Sequence, residues 1–273
     1  MIHYTERPPS APLLPFVECC WILKSHSNFF KKGELIIPGG RIEMIFNLGS
    51  PALWIDSKDP SGGRCFVGSY ILGPRNRPFF VEQHGFIQMF GVRFRHGGLS
   101  PFIPLPMSLL INEVVQTDQV FGNEIDELTA RLYEDDAEAS SITFIQNFLE
   151  KRIRNEVDTR QALQLISCVK ESESLPLNAL SEKTGVHYKK LERIFSRYTG
   201  YNPKNFTRVI RFYRALQQMK GKPLSLTGIG LNGGYYDQPH FIRDFKAFTG
   251  KSPSQFSIEK PAIANLLLQS RHV

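Results

Sequence analysis

The chain has 273 residues, of which 41% are apolar and 22% charged, with a formal net charge of +7. That length gives two domains as the default, at about 100 to 200 residues each, and the composition excludes a disordered or fibrous chain. No apolar run approaches the ~18 residues of a spanning helix, and the opening MIHYTERPPSAPLLPF has neither the basic start nor the apolar core of a signal peptide, so a cytoplasmic protein without a membrane partner is expected.

From Phe16 to about Arg95 the sequence is written in short apolar or alternating runs, among them CCWIL, ELIIP, EMIFNL, ALWI, RCFVGSYIL, FFVE and GFIQMFGVRF. Pro, Gly, Ser and Asn clusters separate them at about 8 to 12 residues, the rhythm of some seven β-strands closing into a barrel or sandwich. Trp21 and Trp54 fall inside these runs and read as core. Between Gly97 and Asn155 the spacing turns helical, first over Met107–Val115, then over Val120–Tyr133, where Val120, Phe121, Ile125, Leu128 and Leu132 recur every three or four residues. A second amphipathic run follows through Ile142, Ile145, Phe148, Leu149 and Ile153. From Thr159 onward the chain is expected to be helical throughout, in seven pieces at about 160–172, 177–184, 187–198, 203–219, 225–232, 237–248 and 253–257, punctuated by glycines and prolines. The second and third pieces, and again the fifth and sixth, are short pairs joined at a glycine turn, which is the pattern of helix-turn-helix. The fold class is therefore α+β in two domains: a β-rich, barrel-like part over 1–115, a helical connector over 116–156, and an all-α part over 157–260 with two helix-turn-helix units joined by a long helix.

Charge is divided unevenly along this plan. Residues 160–273 carry 18 Lys and Arg against 7 Asp and Glu, whereas residues 1–159 carry 15 against 19. All of the basic excess thus sits in the helical part, as a polyanion partner would select. The four cysteines, Cys19, Cys20, Cys65 and Cys168, show no CxxC spacing and two are adjacent, so they read as reduced, mostly buried thiols. The seven histidines are scattered without HxH or HExxH spacing, and neither a metal nor another cofactor is expected.

An internal repeat carries most of the functional information. LERIFSRYTGYNPKNF (191–206) and FIRDFKAFTGKSPSQF (241–256) superimpose at an offset of 50 without a gap, with six of sixteen positions identical: Arg193 and Arg243, Phe195 and Phe245, Thr199 and Thr249, Gly200 and Gly250, Pro203 and Pro253, Phe206 and Phe256. The glycines stand where a left-handed helix cap needs a residue without Cβ, the prolines start the next helix, and the phenylalanines fill small three-helix cores. Only the two arginines are left for a partner. On 187–198, Lys189, Lys190 and Arg193 lie outside the apolar stripe, and on 237–248 the equivalent set is Gln238, His240, Arg243 and Lys246; such side chains reach base edges and phosphates in a major groove.

On these residues the sequence resembles the AraC/XylS family of transcription regulators, over roughly 160–258. The second unit carries the resemblance most closely, through its Gly-aromatic turn, the Asp-Gln pair at 237 and 238, Phe241, Arg243, Phe245, Phe-Thr-Gly and Pro253; the first carries it through Leu180, Gly185, Val186, Leu191, Arg193, Phe195, Thr199, Gly200 and Pro203. The resemblance implies double-stranded DNA as partner, an activator that contacts RNA polymerase, and two recognition helices entering adjacent major grooves. It assigns Lys189, Glu192 and Arg193 to the first base-reading set and Gln238, Pro239, His240 and Arg243 to the second. Two departures stand out: Ser181 and Gly230 replace the small alanine usual at the helix packing point, and the glycines around 228–234 weaken the fifth helix.

The segments IIPGGRIEMIFNL and MFGVRFRHGG resemble the β-rich N-terminal domain that precedes some AraC-type regions, a class of undefined ligand. That implies a sensor or a homodimer-forming role. Arg41, Glu43, Arg93 and His96 are the candidate residues for a small-molecule effector, since each interrupts an apolar strand or sits at its mouth; the alternative is a set of strand-end charges facing water. No catalytic residue is expected. An enzymatic barrel, a methyl-accepting cysteine as in DNA-repair relatives, and a protein adaptor are the rival readings. The second would need a thiolate in a zinc or basic setting.

Overall fold

The computed structural model describes residues 2–25, 31–135, 137–154, 157–171, 177–219 and 226–256. Eight strands form one antiparallel sheet: β1 (Ile2–Arg7), β2 (Val17–Ser25), β3 (Lys31–Ile36), β4 (Glu43–Asp56), β5 (Asp59–Leu72), β6 (Phe79–His84), β7 (Gln88–Phe94) and β8 (Val114–Gln116). The order along the main path is β1-β2-β7-β4-β5-β8, and β4 also pairs with β6, which carries β3. The sheet therefore branches and stays open, with β1, β3 and β8 as edges, where the strand rhythm suggests a closed barrel. The cause lies in β4, which is 14 residues long and slips register against β5 between Asn47 and Ala52. Before the slip β4 pairs with β7, and after it with β6. One strand thereby serves two partners in succession, and strand spacing alone does not show this.

Strands β2, β4 and β7 are buried on both faces, which is why they read as near-continuous apolar runs. Cys20, Ile22, Met44, Phe46, Phe90, Val92 and Phe94 point to one face and share a core with helices that cover it. Cys19, Trp21, Leu23, Ile45, Trp54, Tyr70 and Met89 point to the other, the inside of the curl. Gly91 makes room for that inner face: a Cβ there would stand 2.1 Å from the Trp21 ring.

The covering helices are α1 (Asp118–Phe121), α2 (Glu124–Glu134) and α3 (Glu138–Glu150), whose Ile125, Leu128, Leu132, Ile142, Ile145, Phe148 and Leu149 complete the first core. The single helix expected over Val120–Tyr133 is split at Gly122 (φ 69°). The helix expected over Met107–Val115 is a 3-10 turn at Met107–Leu110 followed by β8. Its apolar residues are spent on the end of the sheet rather than on a helix face.

The remainder is helical: α4 (Val157–Glu171), α5 (Leu177–Thr184), α6 (Tyr188–Thr199), α7 (Pro203–Gln218), α8 (Leu226–Asn232) and α9 (Gln238–Thr249). The piece expected over 253–257 is a turn at 253–255, and residue 257 lies outside the described residues. Pro203 starts α7 at its first position, with Asn202 Oδ1 accepting from Asn205 N–H (2.8 Å). One core runs through α4, α6, α7, α8 and α9, from Ala162 and Ile166 to Phe245 and Phe248. The phenylalanines of the repeat occupy its two halves: Phe195 packs on Phe206 (5.1 Å between ring centroids), and Phe245 on Phe212 and Phe256 (5.6 and 5.2 Å).

Candidate nucleic-acid interface

Helix α6 buries Leu191, Phe195, Tyr198 and Thr199 and leaves Lys189, Lys190, Arg193 and Arg197 exposed. Its N-cap is His187, whose Nδ1 accepts from Lys189 N–H (3.4 Å), and its C-cap is Gly200 at φ +81°. A side chain at Gly200 would be strained twice, because a Cβ would also stand 2.8 Å from the Met107 carbonyl oxygen. Glu192 is half-buried and accepts from Tyr188 Oη (2.7 Å). Of the first expected set, Lys189 and Arg193 therefore project freely, while Glu192 is tied to its own helix.

Helix α9 is the counterpart. Asp237 caps it through Oδ1, accepting from His240 N–H (2.7 Å), and Pro239 sits in the first turn, where its missing N–H costs nothing. Pro239, Arg243 and Lys246 are exposed, while Gln238 and His240 are half-buried. The His240 ring meets Tyr235 edge-on at 5.2 Å. Asp244, on the same helix, is a carboxylate only 3% exposed inside the helical core. It accepts from Arg208 Nε of α7 at 2.7 Å, and Arg211 lies over the Tyr235 ring at 4.7 Å. The second helix-turn-helix unit is thus fastened to α7 by charge as well as by phenylalanines. Gly230 brings α8 close, since a Cβ there would lie 3.3 Å from Phe241 Cβ.

The arginines of α7 hold helices in place. Arg208 is spent on Asp244, Arg211 on Tyr235, and Arg214 donates from Nη2 to the Lys170 carbonyl of α4 (2.6 Å). Sequence spacing shows that these arginines leave the apolar stripe, but only the tertiary arrangement gives them partners.

The four residues expected at an effector site separate into two clusters. Glu43 and Arg93 meet inside the sheet. Arg93 is fully buried and donates from Nε to Glu43 Oε1 (3.0 Å), from Nη1 to Glu6 Oε1 (3.1 Å) and to Cys19 Sγ (3.6 Å), and from Nη2 to Tyr4 Oη (3.3 Å). Glu43 Oε2 accepts from Trp21 Nε1 at 3.1 Å. Cys19 therefore does have a basic neighbour, unlike the apolar setting its strand suggests. Burial nevertheless outweighs Arg93 and raises the thiol far above its usual range, and Cys20 is pushed up to about 11. Both thiols are protonated at neutral pH, which removes the physical basis for a methyl-accepting cysteine there.

Arg41 and His96 meet instead where the sheet abuts the helices. Arg41 pairs from Nε with Glu18 (2.7 Å), donates from Nη1 to Tyr213 Oη of α7 (2.9 Å) and lies over that ring at 4.9 Å. His96 meets Phe206 edge-on at 5.3 Å, and its Nε2 is shut from solvent without a partner. Ile37 belongs to the helical core, and Tyr201 Oη donates to the Arg75 carbonyl (2.6 Å). The first helix-turn-helix unit is therefore seated on the sheet domain.

Burial, then the charges of Arg41 and Lys170, hold His96 well below the usual histidine range. The neutral ring contributes stability that is complete above the unfolded value, near pH 6.5, and is lost as pH falls below it. Between pH 7.5 and 5.5 the melting temperature should drop more in the native chain than in His96→Gln. Equal drops would show that His96 is not the titrating group at this interface.

Residues 5–116 match the family model described as Domain of unknown function (DUF6597), and residues 180–257 match the Helix-turn-helix domain model. The C-terminal segment is an AraC-type helix-turn-helix domain. The HTH-type transcriptional regulator GbdR of Pseudomonas aeruginosa is 27% identical over 128 residues, covering 41% of this chain and 35% of that protein. The uncharacterized HTH-type transcriptional regulator SAS0078 of Staphylococcus aureus is 29% identical over 100 residues, 37% of this chain and 13% of that protein. The chain thus spans about a third of the first relative and about an eighth of the second. Among solved structures, ToxT from Vibrio cholerae aligns over 99% of this chain and 97% of its own at 12% identity and TM-score 0.47. A probable AraC family regulator from Rhodopseudomonas palustris aligns over 35% and 92% at 24% identity and TM-score 0.31. In this AraC-type domain α6 and α9 are the second helices of the two units, the position that reads bases in helix-turn-helix proteins. Among the described residues there is no group of His, Cys, Asp and Glu that could hold a metal, and no helix long and apolar enough to cross a membrane.

Proposed function

We propose that the chain is a sequence-specific DNA-binding transcription regulator that reads two adjacent major-groove segments with α6 and α9. The observation that carries this reading is the duplicated unit. Two helices of 12 residues, each capped by a left-handed glycine and each presenting arginine and lysine to solvent, are fastened to one common helix, α7. Successive major-groove segments on one face of a duplex lie about 34 Å apart, and a single rigid helix between two readers suits that repeat. In this reading 1–115 is a sensor or assembly domain, 116–156 connects, and 157–260 binds DNA. Lys189, Lys190, Arg193, Gln238, Pro239, His240, Arg243 and Lys246 face the duplex, with Glu192 set back. A small molecule at the N-terminal domain gates the DNA-binding part through the Arg41–Tyr213 contact, and RNA polymerase and a second copy of the chain complete the partners. No catalytic step is assigned.

The test is binding of the full chain to labelled DNA from upstream of its own gene and to scrambled DNA, between 50 and 300 mM salt. The native fragment should bind at least ~10³-fold tighter, with a steep negative salt slope; equal binding to both would overturn the reading. Arg243→Ala should cost about 1 to 3 kcal/mol on the cognate site and relax base preference there. A uniform loss on every sequence would instead make Arg243 a phosphate contact.

A further inference from the structure

The two helix-turn-helix units do not enter their reading helices by the same turn. In each, a glycine at positive φ leaves the preceding helix, Gly185 (φ +64°) after α5 and Gly234 (φ +82°) after α8. In each, the next residue turns inward: Val186 is half-buried against the helical core, and Tyr235 is buried within it. In the first unit His187, the N-cap of α6, follows at once. In the second, one more residue, Tyr236, stands between Tyr235 and Asp237, the N-cap of α9.

That extra residue is turned out of the fold. Tyr236 is 90% exposed, whereas the other large apolar side chains that reach the surface are 37 to 63% exposed. Its neighbour Tyr235 holds the core position, meeting Phe241 at 5.3 Å and His240 at 5.2 Å and lying under the Arg211 guanidinium. The Tyr236 side chain has no hydrogen bond or ring contact among the described residues, unlike Tyr188 at the start of α6, whose hydroxyl donates to Glu192. A single exposed aromatic ring is ordinary on any protein surface. Its place at the head of a reading helix is what distinguishes this one. The first turn of α6 carries Lys189 and Lys190, but the first turn of α9 carries Gln238, Pro239 and His240 and so has neither lysine nor arginine. A backbone contact at the head of α9 has to come from beside the helix.

We propose that Tyr236 is a DNA contact of the second unit, with Oη donating to a phosphate oxygen of the strand that borders the groove entered by α9. Recognition helices present their N-terminal residues to base edges, so a residue one place ahead of the cap meets the sugar-phosphate wall of the same groove. Tyrosine is among the side chains that donate to phosphate oxygens and so fix a protein's register on the duplex, and a hydrogen bond to a charged oxygen is stronger than one between neutral groups. Tyr236 thereby does for α9 what Lys189 and Lys190 do for α6, without adding a charge. Since it displaces no counterion, it contributes nothing to the salt dependence of binding. This assignment rests on the regulator reading above.

The full chain, native and Tyr236→Phe, is titrated against labelled DNA from upstream of its own gene and against scrambled DNA at several salt concentrations. Tyr236→Phe should keep the native melting temperature, bind both duplexes about three- to tenfold more weakly, and show an unchanged salt slope. A methylphosphonate placed at each backbone position of the protected segment in turn then locates the contact: one position should weaken the native chain and leave Tyr236→Phe unaffected. Equal affinity of the two proteins, a loss accompanied by a lower melting temperature, or the absence of such a position overturns the contact. A loss confined to upstream DNA would make Tyr236 a base contact and overturns the phosphate assignment. The native chain tests the other claim separately. If it binds upstream and scrambled DNA alike, or neither, the regulator reading fails and the contact with it, whereas specific binding unaltered in Tyr236→Phe rejects the contact alone.

Discussion

Replacing Arg93 by alanine is expected to cost about 3 to 5 kcal/mol of stability, the usual range for breaking a buried ion pair by removing one partner. The loss is large because the guanidinium joins four strands: it reaches Tyr4 and Glu6 on β1, Cys19 on β2 and Glu43 on β4 from its own place on β7. Without it Glu43 remains in an apolar interior with Trp21 Nε1 as its remaining donor. Denaturant unfolding followed by tryptophan emission measures the change. The double variant Arg93→Met, Glu43→Gln should be clearly less destabilised than the sum of its single variants, because it removes both buried charges at once. A loss under about 1 kcal/mol for Arg93→Ala, or strict additivity in the double variant, would mean that the network is not what ties these strands.

The second large effect is expected from Phe206→Ala, at about 3 to 5 kcal/mol for a fully buried ring. Phe206 belongs to two structures at once. Its ring packs on Phe195 and Tyr201 in the first helix-turn-helix unit, and on His96 of the sheet domain. Its removal should loosen the unit and the seam together. Helix content followed by far-ultraviolet dichroism should then melt below the tryptophan transition, since Trp21 and Trp54 both lie in the sheet domain. Affinity for upstream DNA should fall in parallel. Coincident melting by both probes would show that the two domains still unfold as one unit and that Phe206 does not join them.

Much of this structure is legible in the sequence, for local reasons. The helical half is legible because its signals are short-range. A glycine at the end of α6 and of α9 and a proline at the start of α7 fix boundaries within a few residues, and the 50-residue repeat exposes the duplication directly. The exposed basic positions of α6 and α9 follow from helical periodicity alone. The sheet is less legible. Runs of apolar residues reveal that strands exist, but closure depends on which strand pairs with which, and β4 changes partner at an irregularity that hydrophobic pattern does not mark. The Met107–Val115 segment misleads for the same reason. Its helical spacing is real, yet Met107, Leu110 and Val114 are buried against the sheet domain rather than along a helix face, and Leu109 stays exposed.

The candidate effector residues show the limit most clearly. Arg41, Glu43, Arg93 and His96 stand out in sequence because each interrupts an apolar run, but that property does not show which partners each will find once the chain has folded. Arg75, in the turn GPRN, carries no such mark, since nothing in its neighbourhood along the chain shows that it will be buried between Trp54 and Phe79. By itself the sequence determined two helix-turn-helix units, their caps, their phenylalanine cores and the side of each reading helix that remains wet, all set by contacts within a few turns of chain. Only the tertiary structure decided the open sheet, the partners of the buried charges and the seating of the first unit on the sheet domain. Those depend on residues brought together from 22 to more than 170 positions apart, and the free energy of a buried charge is fixed by what surrounds it in space.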